Sequence, residues 1–352
     1  TSGRAVLRIA IVNNVNSTLA QEKSDLVIPL RCGPEIAVPA TKSFTSQLAM
    51  LYGLALSLGQ RRVDMLAMPA EERQRRAAEI AARMAAFPAL GTLIRDTIAR
   101  TDADVEKAAE LLHLAPSIHI LGTRMAAVAK EGALKIREVV LNHTEGFEAS
   151  EFKHGPNTIL GFNTVFGPEQ VGALLSSVGA AIDELLRKAA ADGLDSETTR
   201  RLVRDAAASV LAPTCAKERV LDGRSLRGQL AADYPLLYVT GPDPRDVALT
   251  VSQINTHKIR GAVSILIAEE HPALRQAVGK PPANNPGYRS AYITLPPTGD
   301  PLLASFAAVV VLQRLALKMS LKKARYLDDL GIPDHGVHPD VPKNASKSIT
   351  VD

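Results

Sequence analysis

The chain has 352 residues, roughly two domains' worth at about 150 residues each. Its 41 basic and 37 acidic residues leave a net charge of +4, and it is 46% apolar but only 4% aromatic, with no Trp. With no block of like charge and few stacking rings, it lacks the marks of a nucleic-acid binder; what remains is a globular α/β composition with room for a local basic pocket. Cys32 and Cys215 stand far apart without a second pair, so neither a disulfide framework nor a zinc site is expected. No signal peptide opens the chain, and no apolar run is expected to reach the ~20 residues that span a bilayer. A cytoplasmic protein that meets no membrane is the expectation.

The apolar run Leu7 to Val12 reads as a buried parallel strand, and Asp25 to Leu30 as a second. Gly33-Pro34 breaks the chain, and a helix is predicted from Thr41 to Leu58, with Phe44, Leu48, Leu51 and Leu54 on one face. Residues 64–112 read as helical, with joints at Pro69, Pro88 and Gly91. Ile118 to Gly122 is the next strand, followed by a helix from about Met125 to Asn142. Residues 162–232 are rich in Ala, Arg and Glu and read as mostly helical. Leu236–Val239, Val263–Ile267 and Tyr292–Leu295 are strands, with helices at Val247–Ile259 and Leu302–Met319. Strands alternating with helices imply a parallel sheet covered on both faces, which binds ligands beyond the carboxyl ends of its strands. The end of the chain, from Gly331 to Asp352, is Pro-punctuated and polar. It reads as a loose tail or as one laid over a site.

The chemistry concentrates in two neighbouring segments. Glu131, Lys135 and Glu138 are spaced by four and three, so they share one face of the helix. Spacing alone fits a surface ion-pair ladder. The apolar Ala133, Leu134 and Ile136 between them, and the strand-Gly-Thr turn ahead, favour a carboxylate at the ligand end of the sheet. Such a group can shuttle a proton between adjacent sugar carbons, with a lysine holding it ionised. Downstream, Glu151-Phe152-Lys153-His154-Gly155-Pro156 reads as a loop closed by Gly-Pro. A lone His is usually structural; here it sits beside a charged helix, and its ordinary pKa of ~6.5 suits proton transfer.

Three segments bear a specific resemblance. Cys32-Gly33-Pro34-Glu35-Ile36-Ala37-Val38-Pro39-Ala40-Thr41-Lys42-Ser43-Phe44-Thr45-Ser46-Gln47-Leu48 is the first, Glu131 to Pro156 the second, and Pro342-Lys343-Asn344-Ala345-Ser346-Lys347-Ser348-Ile349-Thr350-Val351-Asp352 the third. In this order they resemble the isomerase portion of the glutamine–fructose-6-phosphate amidotransferases. The resemblance implies an α/β chain of two SIS-type, doubly wound, flavodoxin-like parallel-sheet subdomains, the first incomplete at its start. It divides the chain into residues 1–115, 116–330 with a helical insertion at about 162–232, and a C-terminal active-site tail at 331–352.

By the same resemblance, Glu138 is the proton-shuttling carboxylate and Lys135 its assistant. His154 opens the sugar ring from a neighbouring subunit, which makes a homodimer the expected assembly. Lys347 forms a Schiff base with the open-chain ketose. Val38, Pro39, Ala40 and Thr41 contact the sugar, and Ser346 lies in a lid over it. No metal and no organic cofactor is implied; the ligand is fructose-6-phosphate or glucosamine-6-phosphate, and a glutaminase domain or subunit is the expected ammonia source. Position 40 is Ala where the family has Ser, which removes a hydroxyl near the sugar. The family's Ser/Thr-rich phosphate loop has only Thr1-Ser2-Gly3 as a counterpart, so Ser2 and Gly3 are the remaining phosphate candidates. Three functions fit these residues. They are amino transfer with isomerisation, the reverse deamination, and silent sensing of a sugar phosphate. Joint retention of Glu138, His154 and Lys347 speaks against the third.

Overall fold

The computed structural model describes residues 6–160, 167–209, 234–283, 285 and 288–340. Five parallel strands form the main sheet: β3 (Ser117–Thr123), β4 (His143–Glu148), β5 (Tyr234–Thr240), β6 (Ala262–Glu269) and β7 (Ser290–Leu295). Their order across the sheet is β4-β3-β5-β6-β7, the doubly wound order in which the chain starts near one edge, steps outward and then crosses back. β1 (Ile9–Val12) and β2 (Leu26–Pro29) pair in parallel as a separate two-stranded sheet, around the short helix α1 (Thr18–Gln21).

Alternation along the central strands feeds two cores. Ile118, Ile120, Leu237, Val239, Ile265 and Ile267 face α4 (Leu90–Leu112), α5 (Ala126–Val139) and α10 (Pro301–Asp329). Leu121, Leu236, Tyr238 and Leu266 face the opposite layer, with α8 (Pro244–Lys258) and α9 (Pro272–Gly279). All of these strand side chains are fully buried, each contributing about 1.5–3 kcal/mol by removal from water. Because both faces are covered, the strands read as continuous apolar runs. The helices begin where their sequences direct. Asp243 accepts from the backbone N–H of Arg245 and Asp246 ahead of α8, and Asp300 from that of Leu302 ahead of α10, each followed by a Pro at the first helical position.

α2 (Lys42–Met65) and α3 (Ala70–Ala86) pack together and meet α4 and α10 around Tyr52, Leu56, Leu90 and Phe306. Along the α4–α10 seam, Asp102 pairs with Arg314 and Lys318, Glu106 with Lys318 and Lys322, and Glu110 with Lys322. The insertion is helical as far as it is described, α6 (Pro168–Ala191) packing on α7 (Ser196–Ser209).

Two expectations are corrected, and one helix was not anticipated. The helix expected to run to Asn142 ends at Val139, and His143–Glu148 is the edge strand β4. Its sequence, His-Thr-Glu-Gly-Phe-Glu, is polar because only one neighbour pairs with it. Gly146 is required there, since a Cβ would stand 2.5 Å from the α5 backbone at Ala129 and Lys130. The short helix α9 has no counterpart among the elements expected from the sequence. Finally, two helical stretches, 70–112 and 301–329, are long and apolar enough by length and composition to cross a membrane. The first is interrupted by a 3-10 turn at Phe87–Ala89, and most of the apolar window of the second is buried as a core helix.

Candidate functional site

Lys135 projects from α5 into a cluster that spacing alone could not distinguish from a surface ladder. It is 2% exposed, and its Nζ donates to Glu138 Oε2 at 2.6 Å and lies 3.7 Å from Glu131 Oε1. Glu131 is itself 7% exposed, and its Oε1 is buried without a hydrogen-bond partner among the described residues. Burial raises the Glu131 carboxyl to about 7, against the opposing pull of the Lys135 ammonium. One lysine thus serves two carboxylates of unequal character: one dry and near its titration point, the other half-buried at the helix end.

The location differs from the expected one. α5 runs antiparallel to β3, so its N-terminus lies at the carboxyl end of the sheet and Glu138, twelve residues on, lies about 18 Å away. His143, five residues after Glu138, pairs with Ser117, the first residue of β3. Lys135 and Glu138 therefore sit toward the amino edge of the strands, away from the switch-point crevice.

What Lys135 faces is a cavity of about 390 Å³ between the helical layer and the loop before α2. Lys135 and Val139 line it from α5, Gln313 and Arg314 from α10, Ile94 and Ile98 from α4. Pro39 and Thr41 of the loop, and Lys42 and Thr45 of α2, close another side. The loop is held by Glu35, whose carboxylate accepts from the backbone N–H of Thr41 at 2.8 Å and of Ser43 at 3.2 Å, and from the Ser43 hydroxyl. A carboxylate at the positive end of α2 is favourably placed. Gln313 Nε2 donates to the Thr41 carbonyl at 3.4 Å, and its side chain also lowers the pull on the Glu131 proton, so it links loop and helix. Pro339 and Asp340 complete the wall, so the chain enters its final segment at this cavity.

Of the residues singled out in the sequence, Lys135, Pro39 and Thr41 line the cavity, and Glu138 joins it through Lys135. Val38 and Ala40 are half-buried in the same loop. His154 is not brought there. It is exposed in a 3-10 turn, Glu151–His154, anchored by the buried Phe152, whose ring contacts His119, Phe147 and His257. Gly155 follows with φ of 149°, a conformation other residues avoid. Ser2, Gly3, Ser346 and Lys347 lie outside the described residues. Sequence reasoning passed over Gln313, Arg314 and Lys42. The polar Gln-Arg pair interrupting the apolar run of α10 was the available signal for the first two.

The titration of Glu131 makes a stability prediction. In the unfolded chain this carboxyl ionises near 4.5, in the folded protein at about 7. The native state holds the proton longer, so stability falls as pH rises from about 4.5 to 7 and is level above. Glu131→Gln removes that loss. Relative to the parent, the variant is expected to gain about 1–3 kcal/mol between pH 5 and pH 8. Urea midpoints at the two pH values measure it, and a gap that does not widen with pH contradicts the assignment.

No family model matches the chain. It is 39% identical over 146 residues to the glutamine–fructose-6-phosphate aminotransferase (isomerizing) of Caulobacter vibrioides, covering 42% of this chain and 22% of that protein. It is 37% identical over 166 residues to the protein of the same name from Pyrobaculum aerophilum, covering 46% and 25%. The matched stretch is thus at most a quarter of those relatives' own length. Among solved structures, the C-terminal domain of glucosamine-fructose-6-phosphate aminotransferase from Francisella tularensis superposes with a TM-score of 0.56 at 18% identity. That alignment covers 90% of this chain and 63% of that one, a likeness of fold.

Proposed function

We propose, from the premise that this chain is a relative of the glutamine–fructose-6-phosphate aminotransferases with the fold of a solved C-terminal domain of that kind, that it isomerises a sugar phosphate with amino transfer. It converts fructose-6-phosphate and ammonia to glucosamine-6-phosphate. The observation that carries this reading is the convergence on one cavity of three segments far apart in sequence: the 37–41 loop, the Lys135 face of α5 and residues 339–340 at the head of the tail.

The chemistry follows from what each group can do. His154, supplied by a second copy in a homodimer, transfers the proton that opens the sugar ring. Lys347 lies seven positions beyond Asp340, a reach of up to about 25 Å, which is long enough for its amine to be delivered to the cavity. It attacks the C2 carbonyl of the open ketose and water leaves, giving an imine. Ammonia adds at C2 and expels the lysine. Glu138, paired with Lys135, takes a proton from C1, whose electron pair stays behind to form a C1=C2 enamine while the imine nitrogen takes up a proton; return of the proton to C2 and loss of the C1 hydroxyl proton to solvent leave an aldehyde at C1 and an amine at C2. Backbone and side chains of residues 38–41 hold the sugar, with Ser346 in a covering lid. The missing hydroxyl at Ala40 costs about 1 kcal/mol of sugar binding relative to a serine. A glutaminase domain or subunit is the proposed source of ammonia.

The test is direct. Incubation with fructose-6-phosphate and ammonium is expected to yield glucosamine-6-phosphate, and the reverse incubation to release ammonia. If neither product forms with folded protein at saturating sugar, the reading fails.

A further inference from the structure

We infer that Glu35 and Gln313 are positioning residues for the sugar, clamping the Thr41 peptide from its two sides and so fixing the 37–41 loop against α10 and the charged face of α5. That this loop meets a sugar rests on the reading above; the clamp itself rests on the contacts.

α2 starts without help from the residue that precedes it, since the Thr41 side chain makes no capping bond. Glu35 supplies the cap from six positions back. Its carboxylate takes the backbone N–H of Thr41 and of Ser43 together with the Ser43 hydroxyl. The chain from Glu35 to Ser43 is thereby closed into a ring, with Val38, Pro39 and Ala40 inside its span. An ionised acceptor holding donors of this kind makes stronger bonds than a neutral one. On the other side of the same peptide, the Thr41 carbonyl receives the backbone N–H and the hydroxyl of Thr45, each at 3.1 Å. Gln313 Nε2 is a further donor at 3.4 Å, reaching it from α10.

Gln313 does more than hold a carbonyl. It is half-buried on α10 beside the buried Leu312, a place where a polar side chain needs partners. Its side chain also favours the ionised form of the Glu131 carboxyl, beside which Lys135 and Glu138 are the charged groups. One neutral side chain thus serves the loop and the α5 cluster at once. A shift of the loop moves the amide, and the amide sets part of the surroundings of Glu131. The loop holds the ligand and does not move its protons. Loosening it therefore removes binding common to ground state and transition state, which raises KM and leaves turnover at saturation nearly unchanged.

Steady-state kinetics on the full chain, with fructose-6-phosphate and ammonium, test the clamp. Glu35→Gln and Gln313→Met are each expected to raise KM for the sugar about tenfold, with kcat within about threefold of the parent. Ser43→Ala leaves both backbone bonds to Glu35 in place and should raise KM less. Carbon-13 NMR of the Glu131 carboxyl in the sugar-free chain gives a readout that lost scaffolding alone would not move. Gln313→Met should shift its titration midpoint upward from the parent's value of about 7, because a group favouring the ionised form is gone, and Glu35→Gln should leave it in place. The clamp is overturned if Gln313→Met keeps either the parent's KM or its Glu131 midpoint. It is also overturned if kcat falls with the melting temperature while KM holds. If Glu35→Gln does not fold, Ser43→Ala and Gln313→Met decide. If the parent binds fructose-6-phosphate without turning it over, dissociation constants take the place of KM. Weaker binding in the variants then removes the proposed reaction and keeps the clamp. Turnover with the parent's KM in all three variants does the reverse, and a parent that neither binds nor turns over the sugar removes both.

Discussion

Glu138→Gln is expected to stop product formation while leaving the sugar bound. The amide keeps the size of the carboxylate and can still accept from Lys135 Nζ, which lies 2.6 Å from Glu138 Oε2 in the native protein. It cannot take a proton from carbon. Removing a positioned base lowers turnover by about 10²–10⁴-fold, so kcat should fall across that range with KM within a few-fold of the parent. Steady-state assay of glucosamine-6-phosphate formation and exchange of the C1 proton with solvent both read it. Because this carboxylate is half-buried at the end of α5 and does not support the core, the melting temperature should barely change. An unfolded variant would point to a structural ion pair, and a folded one with native turnover would remove Glu138 from the reaction. If His154 acts across subunits, mixing inactive Glu138→Gln and His154→Ala chains should restore part of the activity, since some mixed dimers carry one intact site.

The second large effect is expected at Lys347. Borohydride added with fructose-6-phosphate should trap a covalent adduct on this residue, found by mass spectrometry of the digested protein. Lys347→Arg keeps the charge but cannot form the imine. A nucleophile that shares a site with an acid–base group contributes far more than its pairwise contacts, and its removal should lower kcat on the order of 10³-fold or more. Ammonia does not replace the tethered amine, because an amine delivered by the chain acts at an effective concentration that free ammonia cannot match. Adduct on another lysine, or none at saturating sugar, would assign the carbonyl chemistry elsewhere. Lys135 is poorly suited to that role, being held between two carboxylates.

Much of the architecture was decided by the chain read in one dimension. The central strands β3, β5 and β6 are mostly apolar, broken by His119 in β3 and Ser264 in β6, because both of their faces are covered, and a strand buried on two sides has no reason to alternate. The start of α10 is announced by Asp300-Pro301, and the chemistry-bearing face of α5 by the 4-and-3 spacing of Glu131, Lys135 and Glu138. Those properties depend on backbone geometry and nearest neighbours, which sequence records.

Other features exist only once distant segments are in contact. Edge strand β4 is polar since one side of it meets solvent, so its pairing with β3 leaves little pattern in the sequence. Which end of α5 faces a cavity depends on the direction of the helix relative to the sheet. That direction puts Lys135, with Glu138 paired to it, at the cavity lined by the 37–41 loop rather than beyond the strand ends. The proton affinity of Glu131 arises from desolvation in the packed interior, opposed by Lys135 on its own helix and by Gln313 on another. The meeting of Gln313 with the Thr41 carbonyl, 272 positions apart in the chain, likewise follows from packing α10 beside the loop before α2. Spacing along one helix can nominate a carboxylate and a lysine, but burial, orientation and the surrounding charges, which set their chemistry, are properties of the folded whole.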